Sequence, residues 1–284
     1  MLRCAVAQLR VGLDRADNLR RAAALIDAAA REGAALVALP ECFTGKYGVE
    51  HFANWQEVVP ASAGGDASAG GAAMMAAAAK RHGISVTGGI VERCDRPHGG
   101  ADLFNSMPVF GPDGRLAANY RKVHLSRVLG VTSESDVFTH GEDPVALPVA
   151  DFRVGMACCF DLRFPALLHA YGPWAGEERR VDIVCAPSAF LHATGVDHWE
   201  LLVKRTALDT QAYVLAPDVA YDSADEVPLH GKSMICDPWG SVIAQTAAEG
   251  DDLAIADVSR ERLGEVRQKL NLAREGQLDA SWYA

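Results

Sequence analysis

Val154-Gly155-Met156-Ala157-Cys158-Cys159-Phe160-Asp161-Leu162-Arg163-Phe164-Pro165 runs from an apolar strand, through a turn carrying a thiol, into a helix that a proline opens. A strand that ends on reactive side chains ahead of a helix is how a layered α/β fold brings chemistry to one sheet edge. Cysteine on an apolar strand is ordinarily a small buried hydrophobe. Cys159 differs because it sits at the strand's end, beside Asp161 and Arg163. Cations and helix N-termini lower a thiol pKa, so this position predicts a reactive thiol.

The strand–helix alternation continues on both sides of that segment. Residues 3–8 read as a strand, and 14–31 as an amphipathic helix with Leu19, Ala22, Ala23, Ile26 and Ala30 on one face. Gly33 stops the helix, and 35–39 form a buried strand ending at Pro40. A Gly-rich loop at 61–71 leads to a helix reaching His82 and a strand at 84–90. Strands at 103–110 and 116–120 pair around Gly111-Pro112-Asp113-Gly114. Further strands are expected at 152–158, 181–186, 213–217 and 253–257, with helices at 165–172 and 196–211. A hairpin joins 230–237 to 241–246 around Asp237-Pro238-Trp239-Gly240, and Ser259 caps a helix over 259–269. No low-complexity linker or short repeat divides the chain, so residues 1–284 read as a single layered α/β domain with mixed sheets.

Composition narrows the function classes. With 284 residues, 49% hydrophobic and 23% charged, the chain is globular rather than disordered. A net charge of −10 with no Lys/Arg cluster repels phosphate backbones, which argues against nucleic acid and anionic membrane as partners. The longest apolar stretch, residues 72–79, is too short to span a bilayer. Arg10 and Asp14 interrupt any apolar core after Met1, and residues 3–8 already read as a core strand, so no cleaved leader is expected. The seven cysteines are odd in number, form no CxxC pair and accompany no Asn-x-Ser/Thr sequon. Reduced thiols and a cytoplasmic location are the simplest expectation.

Several familiar shapes fail. Gly231-Lys232-Ser233 lacks the glycine that a phosphate-binding loop needs, since Glu226 stands five positions earlier. There is no GxGxxG or GxSxG, and the nine histidines never occur as HxH, HExxH or HxxxH, so no metal or cofactor is expected. Three strand-terminal segments remain. Leu39-Pro40-Glu41 ends a buried strand on a carboxylate, Tyr120-Arg121-Lys122-Val123-His124-Leu125 ends another on an ammonium, and Cys159 ends the third. Alone, Glu41 reads as a solvated loop residue and Lys122 as a surface lysine. Together they supply a base, an oxyanion partner and a nucleophile for attack on an acyl carbon.

In this order and at these separations, the three segments resemble the Glu, Lys and Cys motifs of the nitrilase superfamily of carbon–nitrogen hydrolases. The resemblance continues through Pro187-Ser188-Ala189-Phe190, His198-Trp199-Glu200-Leu201-Leu202 and Gly231-Lys232-Ser233-Met234, and covers residues 3–270. Pro40-Glu41-Cys42-Phe43 with Tyr47-Gly48 is most similar to the Nit branch, which contains omega-amidases and deaminated-glutathione amidases.

That resemblance implies a four-layer α–β–β–α sandwich with two mixed sheets, assembled as a homodimer or higher homo-oligomer. It makes Cys159 the nucleophile, Glu41 the general base, Lys122 the oxyanion partner and Glu134 an assisting carboxylate. Cys158 then falls to packing, and the Cys159 N–H or its neighbour completes the oxyanion hole. Arg163 is the candidate for holding a substrate carboxylate, against the alternative of an ion pair with Asp161. Tyr47, Phe190 and Thr194 match pocket-lining positions, with core packing an equal reading for Phe190. After Leu125, omega-amidases carry an acidic, Pro/Gly-containing loop, whereas residues 126–132 here are shorter and include a basic residue. The implied activity is omega-amidase-type hydrolysis of a small carboxylate-bearing amide, such as α-ketoglutaramate, with release of ammonia and no cofactor. Deaminated-glutathione amidase, N-carbamoyl amino acid amidohydrolase, nitrilase and a catalytically silent metabolite-binding protein are the alternatives. A thiol-redox protein, suggested by Cys158-Cys159, is disfavoured by the lack of CxxC.

Overall fold

The first strand sorts the layers. In β1 (Leu2–Gln8), Cys4 and Val6 pack into one apolar core while Ala5 and Ala7 pack into another, as the two-residue strand period requires. The computed structural model describes residues 1–63, 69–128 and 132–272. After β1 come α1 (Arg15–Arg31), β2 (Leu36–Ala38), the short α2 (Val49–Phe52), β3 (Gln56–Glu57) and α3 (Gly71–His82). Four strands follow: β4 (Ser85–Thr87), β5 (Ile90–Asp95), β6 (Ala101–Phe110) and β7 (Leu116–Arg121). A small ribbon of β8 (Arg127–Val128) and β9 (Thr132–Ser133) leads to β10 (Ala146–Val149) and β11 (Phe152–Met156). The rest comprises α4 (Pro165–His169), β12 (Ile183–Cys185), α5 (His192–Thr210), β13 (Tyr213–Ala216), β14 (Met234–Cys236), β15 (Val242–Gln245), β16 (Asp252–Val258) and α6 (Arg260–Lys269).

Two mixed sheets result. The larger has eight strands in the order β16-β1-β2-β4-β6-β5-β3, with β7 hydrogen-bonded to β6. The second runs β10 to β15 in sequence order, its β11, β12 and β13 parallel and the flanking strands antiparallel. α1 and α3 cover the outer face of the first sheet through Ala22, Ile26, Met75 and Ala79. α5 covers the second through Trp199 and Val203, and the remaining apolar faces meet between the sheets. This is the expected four-layer α–β–β–α arrangement. Asp14 and Ser259 cap their helices by accepting the Asp17 and Arg262 amides.

Three local expectations need correction. The strand expected at 84–90 is split by Gly88-Gly89, because a Cβ on Gly89 would stand 2.5 Å from Glu41 Cα. These glycines let the Glu41 backbone lie against the strand end. Gly89→Ala is therefore expected to cost about 2 kcal/mol of stability, read as a lower urea midpoint. The helix expected at 196–211 starts at His192 instead. Gly195 lies inside it and serves close packing, with the His230 ring where its Cβ would be. The helix expected at 165–172 ends at His169. β5 and β10 carry no apolar alternation strong enough to announce them. Trp282, Tyr283 and residues 129–131 lie outside the described residues. Among those described, no helix is long and apolar enough to cross a membrane.

Candidate active site

The two sheets meet at their strand ends, and Glu41, Lys122 and Cys159 stand there. Glu41 follows β2, and its amide reaches the Ser188 carbonyl beyond β12 of the other sheet, at 3.3 Å. Lys122 follows β7, with its amide on the Asn105 carbonyl of β6. Cys159 follows β11, with its amide on the Pro187 carbonyl at 3.0 Å. The Cys159 N–H is therefore engaged, so of the two backbone donors expected for an oxyanion only its neighbour is left.

Lys122 binds two carboxylates at once. Its Nζ donates to Glu41 Oε1 at 2.7 Å and to Glu134 Oε1 at 3.1 Å, with Glu134 Oε2 in ion-pair contact at 2.8 Å, and all three side chains are fully buried. Asn105 donates to both carboxylates, at 2.7 Å to Glu41 and 3.1 Å to Glu134. Glu41 Oε2 accepts the Ala189 amide at 2.7 Å, and Glu134 accepts from Ser126 N and Tyr47 Oη. Glu134 thus lies where the motif order placed it, in spite of the altered segment before it.

Burial alone would lift the Glu41 carboxyl. The Lys122 ammonium and the donors on Oε1 outweigh it and hold Glu41 below the usual carboxylate range. Glu134 goes the other way, lifted by burial and by the charge of Glu41. Lys122 is raised well above its ordinary value, because the two carboxylates outweigh its burial. Opposed shifts in a neighbouring carboxyl pair are how one is kept as base and the other as its complement.

The thiols depart from expectation twice. Cys159 is pushed well up, by burial first and then by the Glu41 charge, rather than down. The helix that follows starts only at Pro165, beyond a five-residue 3-10 turn, Cys159–Arg163, so its N-terminus does not lie at the thiol. Such a shift favours the thiol over the thiolate. The second departure is Cys158, expected only to pack. Its Sγ lies 3.1 Å from Glu41 Oε1, in hydrogen-bond reach of the carboxylate. Backbone conformation separates the neighbours: Cys158 is still extended at φ −138°, whereas Cys159 turns to φ 44°. Cys158 is fully buried, and Cys159 lines an open pocket.

That pocket has a volume of about 260 Å³, and Tyr47, Arg163, Phe190 and Thr194 line it together with Cys159. Arg163 does not pair with Asp161. Asp161 is buried and fully engaged, accepting from Tyr120 Oη, the amides of Cys158 and His124, and His124 Nδ1. It clamps the Cys segment to the Lys segment. The Arg163 guanidinium lies over the Phe160 and Phe190 rings, and its Nη1 contacts His198 Nδ1 at 3.2 Å. Burial without a carboxylate partner lowers its pKa, so a substrate anion would find it poorly compensated. Phe190 serves both readings, facing the pocket and packing on Trp199.

Sequence reading missed Asn105, Cys158 as a donor, and His198. Asn105-Ser106 carried a usable signal, since both are polar residues set between Leu103-Phe104 and Met107-Pro108-Val109-Phe110 and both are fully buried. No group of three or more potential metal ligands occurs among the described residues.

The carbon–nitrogen hydrolase family model matches residues 3–268 of this chain. Omega-amidase NIT2 of Homo sapiens is 32% identical over 281 residues, which cover 98% of this chain and 95% of that protein. Omega-amidase NIT2 of Danio rerio is 34% identical with the same coverage. Among solved structures, Saccharomyces cerevisiae Nit3, a member of branch 10 of the nitrilase superfamily, superposes with a TM-score of 0.84 at 28% identity, covering 98% of this chain and 97% of its own.

Proposed function

The chain belongs to the carbon–nitrogen hydrolase family and is an amidase of the nitrilase superfamily, and from that premise we propose that it hydrolyses a small carboxylate-bearing monoamide of the omega-amidase type through a Cys159 acyl-enzyme. The observation that carries this reading is a small pocket lined by Cys159 and by Arg163, which has no carboxylate partner among the described residues.

In the proposed cycle, Glu41 takes the Cys159 proton as sulfur attacks the amide carbon. Lys122 and the Phe160 N–H balance the oxyanion. Protonated Glu41 returns its proton to the leaving nitrogen, and ammonia departs. The same carboxylate then activates water to cleave the thioester. Glu134 holds Lys122 from its other side and anchors Tyr47 at the pocket wall. Arg163 receives the substrate carboxylate, while Phe190, Tyr47 and Thr194 shape the space between.

The test is ammonia release from α-ketoglutaramate beside its ureido and nitrile analogues. Turnover confined to the amide is expected; preference for another analogue would reassign the substrate. Arg163→Leu is expected to lower kcat/KM for the acid amide roughly 10- to 100-fold, chiefly through KM, and to spare a neutral amide. Equal losses on both would remove Arg163 from carboxylate binding.

The same proposal includes a homodimer and a cytoplasmic setting. Leu201 and Leu208, seven residues apart on one face of α5, are 64% and 44% exposed, which suits a helix-to-helix contact. All seven cysteines are unpaired, which suits a reducing compartment.

A further inference from the structure

Cys158 is a buried thiol for which the proposed cycle has no use, yet it touches the base of that cycle. Cys158 and Glu41 are 117 residues apart in sequence, both are fully buried, and Sγ stands 3.1 Å from Oε1. An alkyl side chain would have filled the same space. The carboxylate has no thiol partner among the described hydrogen bonds other than this one, since Cys159 Sγ is turned to the pocket. Sγ is also 4.0 Å from Asn105 Oδ1, whose amide nitrogen donates to the same Glu41 oxygen.

We propose that Cys158 is a positioning residue for the general base: its S–H donates to Glu41 Oε1, fixing the carboxylate's orientation and stabilising its charge. Three donors then converge on this one oxygen, from Lys122, Asn105 and Cys158. Each favours the ionised form, and loss of one makes the carboxylate easier to protonate. The other charged or titratable groups around Glu41 are Glu134, Asp218, Tyr47, Cys42 and Cys159, and none of these donates to it among the described hydrogen bonds. A thiol is a weak donor, so the effect is a tuning of the base. Asp218 and Glu134 oppose it to the extent that they are ionised, and burial lifts both carboxyls.

The proposal rests on Glu41 acting as base, and two readouts separate its failure from failure of that reading. The first is the pH profile of kcat/KM, whose acid limb reports protonation of the base in free enzyme. Cys158→Val removes the donor at similar volume and is expected to move that limb upward by about one pH unit. Cys158→Ser restores a donor and is expected to return the limb toward the wild-type position. A Val variant that loses activity or stability with its limb unmoved would reduce Cys158 to packing and overturn the proposal. The second readout needs no turnover. The infrared S–H stretch of Cys158, identified by its loss in Cys158→Val or Cys158→Ser, is expected at the strongly hydrogen-bonded end and to shift toward the free-thiol position in Glu41→Gln. A band indifferent to Glu41→Gln would overturn the contact even in an enzyme inactive on every amide tried. Wild type inactive on all amides, with a responsive band, would reject the reaction while upholding the contact.

Discussion

Replacing Cys159 by alanine is expected to lower amide turnover by roughly 10⁴- to 10⁶-fold with the fold intact. The size follows from what the side chain supplies: without sulfur no thioester forms, and the remaining groups only stabilise charge around an amide that water attacks poorly. Stability should change little, because Cys159 lies on the pocket wall and makes no side-chain hydrogen bond among those described. Its positive φ is as costly for cysteine as for alanine, so the substitution adds no backbone strain. Rapid quenching with the amide substrate and mass spectrometry should place the acyl adduct on Cys159. An adduct on Cys158, or turnover that survives Cys159→Ala, would reject the assignment. The adjacent thiols make this a discriminating measurement, since only one of the two reaches the pocket.

Lys122→Met is the second large effect, because it acts on both rate and stability. The ammonium is the only cation hydrogen-bonded to Glu41 and Glu134 in the described structure, and all three groups are fully buried. Methionine keeps the length of the side chain and removes its charge, leaving two buried carboxylates facing one another. Breaking a buried pair in this way costs about 3–5 kcal/mol, which should appear as a much lower urea midpoint. Turnover should fall a further roughly 10²- to 10³-fold through loss of oxyanion stabilisation. Adding Glu41→Gln should recover part of the stability but none of the rate, because the two losses couple only in the folded ground state. An unchanged midpoint in Lys122→Met would show that the carboxylates share a proton without its help.

The corrected thiol pKa ties these predictions together. Sequence position suggested an acidic cysteine, favoured by a helix N-terminus and nearby cations. In the fold, Cys159 is buried beside the negative charge of Glu41, and these raise its pKa in spite of Lys122. A protonated thiol beside an ionised carboxylate is the resting pair from which the proposed general-base step would start. Arg163 was equally undetermined from the chain. Asp161 is two residues away in sequence and was the natural partner, but four other donors already saturate it.

The sequence by itself determined most of the elements and singled out Glu41, Lys122 and Cys159, the residues on which the proposed chemistry rests. Apolar alternation and Gly/Pro punctuation are local signals, so most strands and helices were legible to within a few residues. Glu41, Lys122 and Cys159 were legible because each ends an apolar strand in a short, recognisable segment. Only the tertiary structure decided which way neighbouring side chains face and what each one touches. Cys158 and Cys159 are indistinguishable by residue type, yet a change from extended to left-handed backbone sends one toward Glu41 and the other toward the pocket. Asn105 gained its role because β6 lays it between two carboxylates that are 64 and 29 residues distant in sequence. The signs of the pKa shifts were fixed there too. Each is a balance of burial against charges brought together by the packing of two sheets, and no periodicity along the chain carries that sum.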